Sequence, residues 1–488
     1  MDRYRKCVSV LFAPLFFFPI ALSPFSFPLW EPQRLRLFSI SDMDSQKLRT
    51  DGKRMLDFVA DYWDGIRERR PLPDVKPGYI RDLVPTTAPT SPEDWTKIFD
   101  DLENVVINGA THWHHPHFFA YFPTALSYQS IMADILSGGI AGIGFTWKSC
   151  PSMTELEMSS LDWVVDLMGL PEHFKNSHDG PGCGIIQSTA SDSTMVAIMA
   201  ARATKVEQIK AEPTFMKWVG ETGVGRTLKG ILDRVKTNTT DDEAAGIISP
   251  HFHDPTVFER FVMYCSDQAH SSVEKGAMLS AIRLRKLKST RGFLGNYSVT
   301  GQTLRDAIKE DRERGYVPFM FLATVGTTCS CGVDQVDELG PICAAEGLYI
   351  HVDAAYAGTF ALCDEFKYLT RGMEHVDSYN FNLHKAGMVN FDCSPMWFKN
   401  GTHVSRFFNV DALYLAHEYQ STAADYRSTN ADNEKLCNAI NEDRRIHLVP
   451  STVHGTYFLR MVVCSQLTTL DDVIFAKNVI CQIADRLF

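Results

Sequence analysis

A lysine beside a histidine closes the run Ser378-Tyr379-Asn380-Phe381-Asn382-Leu383-His384-Lys385. Its surroundings are apolar or small, and Val389 to Met396 downstream reads as a further core strand. Lysine is almost never fully buried unless it is paired or reacted. An exposed lysine amine, with a pKa of about 10.4, is a poor nucleophile at neutral pH. Desolvation lowers that value and readies the amine for a Schiff base with a carbonyl compound. Lys385 is therefore the first candidate catalytic residue, with a bland surface lysine as the alternative.

Three further segments carry chemistry. Asp353 follows the apolar run Leu348-Tyr349-Ile350-His351-Val352 and opens Asp353-Ala354-Ala355-Tyr356. An acid just past a buried strand stands where ligands gather in α/β sheets. There it keeps a facing pyridine nitrogen protonated, or it caps the next element. The stretch Gly182-Cys183-Gly184-Ile185-Ile186-Gln187-Ser188-Thr189-Ala190-Ser191-Asp192-Ser193 places small and hydroxyl residues before the helical run Thr194 to Arg202. Helix N-terminal N–H groups with the Thr189 and Ser191 hydroxyls form a phosphate cradle, although Ser and Asp also cap helices routinely. Ser266-Asp267-Gln268-Ala269-His270-Ser271-Ser272 puts His270 just after the apolar run Phe261 to Cys265. That ring stacks on a planar ligand, moves a proton, or is structural.

The elements that must position these residues alternate along the middle of the chain. Phe319 to Val325 and Leu348 to Val352 read as buried strands, and Thr303 to Glu313 as one of the helix-like stretches that alternate with such runs. Such alternation predicts an α/β fold with a mainly parallel sheet covered by helices. Leu48, Met55, Phe58, Val59 and Trp63 give Ser45 to Arg69 the spacing of an amphipathic helix. Pro71 to Pro92 reads as an extended arm, Ile131 to Gly144 as a buried helix, and Thr237 to His253 as a polar surface insertion. Val8 to Leu22 is apolar after Arg3, Arg5 and Lys6, but Pro14 and Pro19 interrupt it and Met43 resembles a fresh start. A targeting leader, a weak anchor and upstream sequence read in frame all remain open for residues 1–42, so membrane contact depends on that leader alone.

A formal charge of −11 over 488 residues argues against nucleic acid, which needs a cationic surface. Twelve cysteines without repeated spacing predict reduced thiols in a cytoplasmic protein. His112-Trp113-His114-His115-Pro116-His117 fits no common zinc spacing, so no metal is expected.

Taken together, Asp353-Ala354-Ala355-Tyr356, Asn382-Leu383-His384-Lys385 and Asp267-Gln268-Ala269-His270-Ser271-Ser272 resemble the group II pyridoxal-phosphate (PLP)-dependent amino-acid decarboxylases. The likeness is greatest to the branch that acts on aromatic L-amino acids such as DOPA and 5-hydroxytryptophan, for catecholamine and serotonin synthesis. It runs from near Met43 to about Arg427, apart from the insertion near Thr237, and resumes at Asn433.

The resemblance implies a fold-type I PLP enzyme. It implies an N-terminal helical arm over 43–125, a large PLP-binding domain over 126–400, a catalytic loop over 401–430 and a small C-terminal domain over 431–488. It further implies that Lys385 holds PLP, that Asp353 pairs with the ring nitrogen, and that His270 and Ala355 lie against the two ring faces. Ala190, Ser191 and Asn382 would hold the phosphate, with His384 beside the cofactor and Thr328 near cofactor and substrate. Trp113, Tyr121, Phe122, Pro123 and Thr124 match the segment lining the aromatic pocket, which His270 also faces. Ile143 and Phe145 match residues that reach a neighbouring subunit's site, implying a homodimer. Tyr414 matches the tyrosine that protonates the α-carbon. Aldehyde synthases of the family replace either that tyrosine or the histidine, so keeping both favours simple decarboxylation to the amine and CO₂. A decarboxylase of another amino acid, such as histidine or glutamate, shares the cofactor residues and is the next alternative.

The sequence also departs from the family. Leu383 stands where proline is more usual, and Arg406-Phe407-Phe408-Asn409-Val410 replaces a glycine-containing stretch. Several dozen family residues have no counterpart between Arg427 and Asn433, leaving a shortened C-terminal domain. The rival this raises is a catalytically impaired PLP-binding relative.

Overall fold

The apolar runs assemble into one seven-stranded sheet in the computed structural model, which describes residues 11–12, 44–122, 124, 126–176, 180–211, 258–292, 295–408, 431–453, 456–461 and 468–487. Its strands in chain order are β1 (Cys183–Gln187), β2 (Phe261–Ser266), β3 (Arg283–Leu287), β4 (Val317–Thr324), β5 (Tyr349–Asp353), β6 (Ser378–Asn380) and β7 (Ser394–Phe398). In space they run β1-β7-β6-β5-β4-β2-β3. The β6-β5-β4-β2-β3 pairings are parallel, and β7 alone is reversed, antiparallel to both β6 and β1. Six strands therefore point their carboxyl ends the same way, as the expected mainly parallel sheet requires.

Both faces of the sheet are covered, which explains why β2 and β4 read as continuous apolar runs. Alternate residues of each strand go to opposite faces. Val262 and Tyr264 of β2, with Phe321 and Ala323 of β4, pack against helices α2 (Pro151–Met168), α5 (Gly301–Glu313) and α6 (Val336–Glu346). Met263 and Cys265, with Met320 and Leu322, pack against α3 (Ala190–Ala211) and α4 (Ser271–Leu279). Each large side chain so buried contributes about 1.5–3 kcal/mol.

Two expectations are corrected. The apolar segment around Ile131 to Gly144 does form a helix, α1 (Tyr128–Ile140), but none of its residues is buried. Met132, Leu136 and Ile140 are 50%, 62% and 66% exposed. Apolar composition shows that a helix needs cover and leaves open whether its own chain supplies it. Val389 to Met396 is not strand throughout: residues up to Cys393 form a loop, and β7 begins at Ser394.

The chain divides into two compact units, Thr124–Ser428, which holds the sheet and α1 to α6, and Met1–Pro123 with Thr429–Phe488. In the second unit the expected amphipathic helix is Ser45–Asp64, started by Asp44, whose carboxylate accepts the Gln46 and Lys47 N–H groups at 3.0 and 2.9 Å. Its C-terminal part has two strands, Val449–Val453 and Thr456–Met461, paired antiparallel beside Leu11–Phe12, and the helix Leu470–Leu487. Pro123, Thr237 to His253 and Tyr414 lie outside the described residues.

Candidate active site

Every cofactor residue picked out in the sequence follows the carboxyl end of a strand. Ala190 and Ser191 follow β1, His270 follows β2, Thr328 follows β4, Asp353 ends β5 and Ala355 follows it, and Asn382, His384 and Lys385 follow β6. Because these strands are parallel, one edge of the sheet collects residues drawn from five places in the sequence.

Asp353 sits in register between Thr324 of β4 and Asn380 of β6. It is buried, and its carboxylate accepts the Ala355 N–H at 3.0 Å. Burial pushes its pKa above the usual carboxylate range, while the Ala355 N–H, Lys385 and His270 pull it down. The same burial pushes the Lys385 amine below the ordinary lysine range, opposed by the charge of Asp353. Asp353, Lys385 and His270 thus share one electrostatic neighbourhood. Gly326, at φ +90°, lets the loop after β4 pass against the turn after β5, since a Cβ there would lie 2.6 Å from that of Ala357.

Lys385 lies on a single helical turn, Leu383–Ala386, fastened on both sides. The Asn382 N–H donates to the Ala355 carbonyl at 3.2 Å, and the Asn382 carbonyl accepts the Thr359 hydroxyl at 3.2 Å. The Asn382 side-chain oxygen accepts the Ser394 hydroxyl at 2.7 Å. His384 is buried, and its Nδ1 accepts the Cys393 N–H at 2.8 Å. An accepting Nδ1 puts the proton of the neutral ring on Nε2. Burial first, then the charge of Lys385, keeps the His384 pKa below the usual histidine value.

His270 is the N-cap of α4: its Nδ1 accepts the Ser272 N–H at 3.2 Å, which fixes the ring at the head of that helix. At α3 the capping alternative holds for one hydroxyl. Thr189 accepts the Asp192 N–H at 3.2 Å and donates to the Asp192 carboxylate at 2.8 Å. The N–H groups of Ala190 and Ser191 belong to the first helical turn, which has no intrahelical partners. Thr328 is exposed in the loop whose turn is held by Thr327 accepting the Gly332 N–H at 2.7 Å.

The substrate residues are distributed differently. Trp113, Tyr121 and Phe122 lie in the second unit, where Trp113 stacks on Tyr121 with ring centroids 5.2 Å apart and meets Phe118 at 5.3 Å. Thr124, Ile143 and Phe145 lie in the sheet-bearing unit, and the last two are 67% and 62% exposed. His112 Nδ1 bonds the Tyr62 hydroxyl at 2.9 Å and His115 Nδ1 accepts the His117 N–H at 2.9 Å, and no metal-binding cluster occurs among the described residues. Sequence reasoning missed Thr359, Cys393 and Ser394, which hold Asn382 and His384 in place. Two asparagines alternating with apolar residues in Tyr379-Asn380-Phe381-Asn382 were the available signal for buried polar partners on that side.

The pyridoxal-dependent decarboxylase conserved domain matches residues 77–220 and 246–438. The chain belongs to that family. The break in the match overlaps the start of the polar stretch Thr237 to His253. This decarboxylase is 37% identical to the aromatic-L-amino-acid decarboxylase of Drosophila melanogaster over 513 aligned residues, 91% of this chain and 92% of that protein. The alignment is longer than the chain itself, so the relative has residues that this decarboxylase lacks. Tryptophan decarboxylase from Catharanthus roseus, solved in complex with L-tryptophan, superposes with a TM-score of 0.63 at 27% identity, covering 92% of this chain and all of that one. The 4-hydroxyphenylacetaldehyde synthase of Rhodiola rosea superposes with a TM-score of 0.62 at 25% identity, covering 91% and 99%.

The family's cofactor, PLP, has three polar parts, and the donor set fits each of them. A depressed amine suits its aldehyde, a buried carboxylate its ring nitrogen, and the N–H groups of α3 with the Asn382 and His384 side chains its phosphate.

Proposed function

We propose that this decarboxylase converts an aromatic L-amino acid to its amine and CO₂, with Lys385, Asp353 and His270 as its working residues. The observation that carries this reading is the shared neighbourhood of a depressed amine, a buried carboxylate and a fixed imidazole at the carboxyl edge of the sheet. When bound, PLP supplies the electron sink for the Cα–carboxylate bond. Lys385, whose amine burial keeps nucleophilic, would hold the cofactor at its aldehyde. Asp353 would supply the counter-charge to the ring nitrogen, and a positive charge there would favour the ionised form of the buried carboxylate. His270, held by Ser272, offers a flat face to the ring. Ala190, Ser191, Asn382 and His384 hold the phosphate, and Ala355 and Thr328 complete the cofactor's surroundings. Tyr414 is the α-carbon acid.

The aromatic substrate is supported by the names of the relatives and by the Trp113–Tyr121–Phe118 cluster, to which Phe122, Pro123 and Thr124 are adjacent in sequence. A homodimer is supported by α1, which has no buried residue, and by the exposure of Ile143 and Phe145. The test is an assay of purified protein with PLP and DOPA, recording amine, CO₂ and hydrogen peroxide, beside Lys385→Ala. Amine and CO₂ without peroxide, lost in the variant, are expected. Peroxide with aldehyde would make the chain an aldehyde synthase instead, and bound cofactor without either product would make it an impaired relative.

A further inference from the structure

We propose that Asn390 is a positioning residue for Lys385, its carboxamide fastening the loop that follows the lysine to the first turns of α1. The proposal rests on Lys385 being the cofactor's covalent anchor. The loop leaves the Lys385 turn at Ala386 and returns to β7 at Ser394. Its base is closed by one pair of residues: the His384 N–H donates to the Cys393 carbonyl at 3.4 Å, and His384 Nδ1 accepts the Cys393 N–H at 2.8 Å. Its tip is held by α1. The Met388 carbonyl accepts the Ser127 hydroxyl at 3.0 Å, and the Asn390 side-chain oxygen accepts the Ser130 hydroxyl at 2.5 Å. The Asn390 amide nitrogen donates to the Ser130 carbonyl at 3.3 Å and to the Asp134 carboxylate.

One side chain therefore engages three groups on α1. The anchorage is firm because Ser127 and Ser130 are the reciprocal capping box that starts this helix. Met388, at φ +58°, holds a left-handed conformation that costs a non-glycine residue energy and persists where neighbours over-determine it. The clasp supplies that constraint. With it undone, the turn that carries Lys385 keeps the Asn382 bonds and the His384–Cys393 pair, but the loop that follows it loses most of its hold on α1. The lysine then samples positions closer to water, the cofactor binds more weakly, and the amine regains a more ordinary basicity.

The test titrates cofactor-free protein with PLP, reading the dissociation constant from the quench of intrinsic fluorescence, and traps the bound cofactor with borohydride across pH. Asn390→Asp opposes two carboxylates across the clasp, and the dissociation constant is expected to rise about tenfold, as for a lost charge-assisted hydrogen bond. The trapping profile is expected to move to higher pH. Adding Asp134→Asn removes the repulsion and restores both readings. Should Asn390→Asp not fold, Asn390→Ala, Ser130→Ala and their double variant replace it, the double being no worse than the worse single. A wild-type dissociation constant and pH profile in Asn390→Asp or Asn390→Ala would overturn the clasp, as would a defect that Asp134→Asn leaves untouched. Trapped cofactor persisting in Lys385→Ala would overturn the anchor and the clasp with it. Trapping lost there, beside unchanged Asn390 variants, overturns the clasp alone.

Discussion

Asp334 and Asp353 are both buried beside the end of β4, yet the chain uses them differently. Asp334 accepts two backbone N–H groups, from Val299 and from Thr324, each at 2.9 Å. Among the described residues Asp353 accepts one, from Ala355, and otherwise faces the charges of Lys385 and His270. Burial raises both pKa values, that of Asp334 to about 6. The difference lies in the partners. An acid whose two oxygens both hold backbone is committed to the loop it closes, whereas one facing side-chain charges has an oxygen to offer a ligand. Burial by itself does not mark a working acid.

Four experiments probe that contrast, beginning with the largest effect. Asp353→Asn is expected to lower turnover at least about 100-fold, the scale of a lost electrostatic stabiliser, without lowering the melting temperature of the cofactor-free protein. Near-normal turnover would erase the distinction. Asp334→Asn is expected to do the reverse, costing about 1–3 kcal/mol in urea melts because an amide accepts only one of the two N–H groups, with kcat kept in the folded fraction.

The pH dependence sharpens the same pair. The folded carboxyl of Asp334 titrates at about 6, above its ordinary 3.8, so the folded state binds this proton more tightly than the unfolded one. Its contribution to stability is therefore fully present below about pH 4 and is lost as pH rises through about 6. The stability gap between wild type and Asp334→Asn should shrink across that window, and a gap that widened would reverse the argument. The smallest effect is expected at Thr189→Ala, about 1 kcal/mol of stability for a lost helix cap. A change in PLP affinity of more than about tenfold, instead of in stability, would return that hydroxyl to the phosphate.

What could be read from the sequence was what depends on neighbours in the chain. A buried strand followed by a polar residue locates the carboxyl edge of a parallel sheet, so Asp353 and His270 were legible, and the apolar, small surroundings of Lys385 marked it separately. The capping role of Thr189 was legible only as an alternative, since three residues of local sequence serve a cap and a phosphate equally. The clasp was not legible, because Asn390 and Ser130 are 260 residues apart and neither belongs to a pattern that joins them. The start of β7 was misjudged for a related reason. Val389, Phe391 and Cys393 have strand-like spacing, but bonds to α1 and to His384 hold that backbone out of the sheet. Composition alone places the apolar face of α1 in the core, because it records the need for cover without naming its source.

The position of β6 and β7 has a consequence for synthesis. They are the last strands of the sheet to be made, yet in space they fill the gap between β1 and β5. Before residue 378 leaves the ribosome, β1 has no partner in the sheet and β5 has one open edge, both of them templates for stray strands. The connection of the strand pair that fills this gap carries Lys385. The growing chain thus acquires the depressed amine of Lys385 in the same event that closes its sheet, and a chain that stops short has sticky edges and lacks that amine.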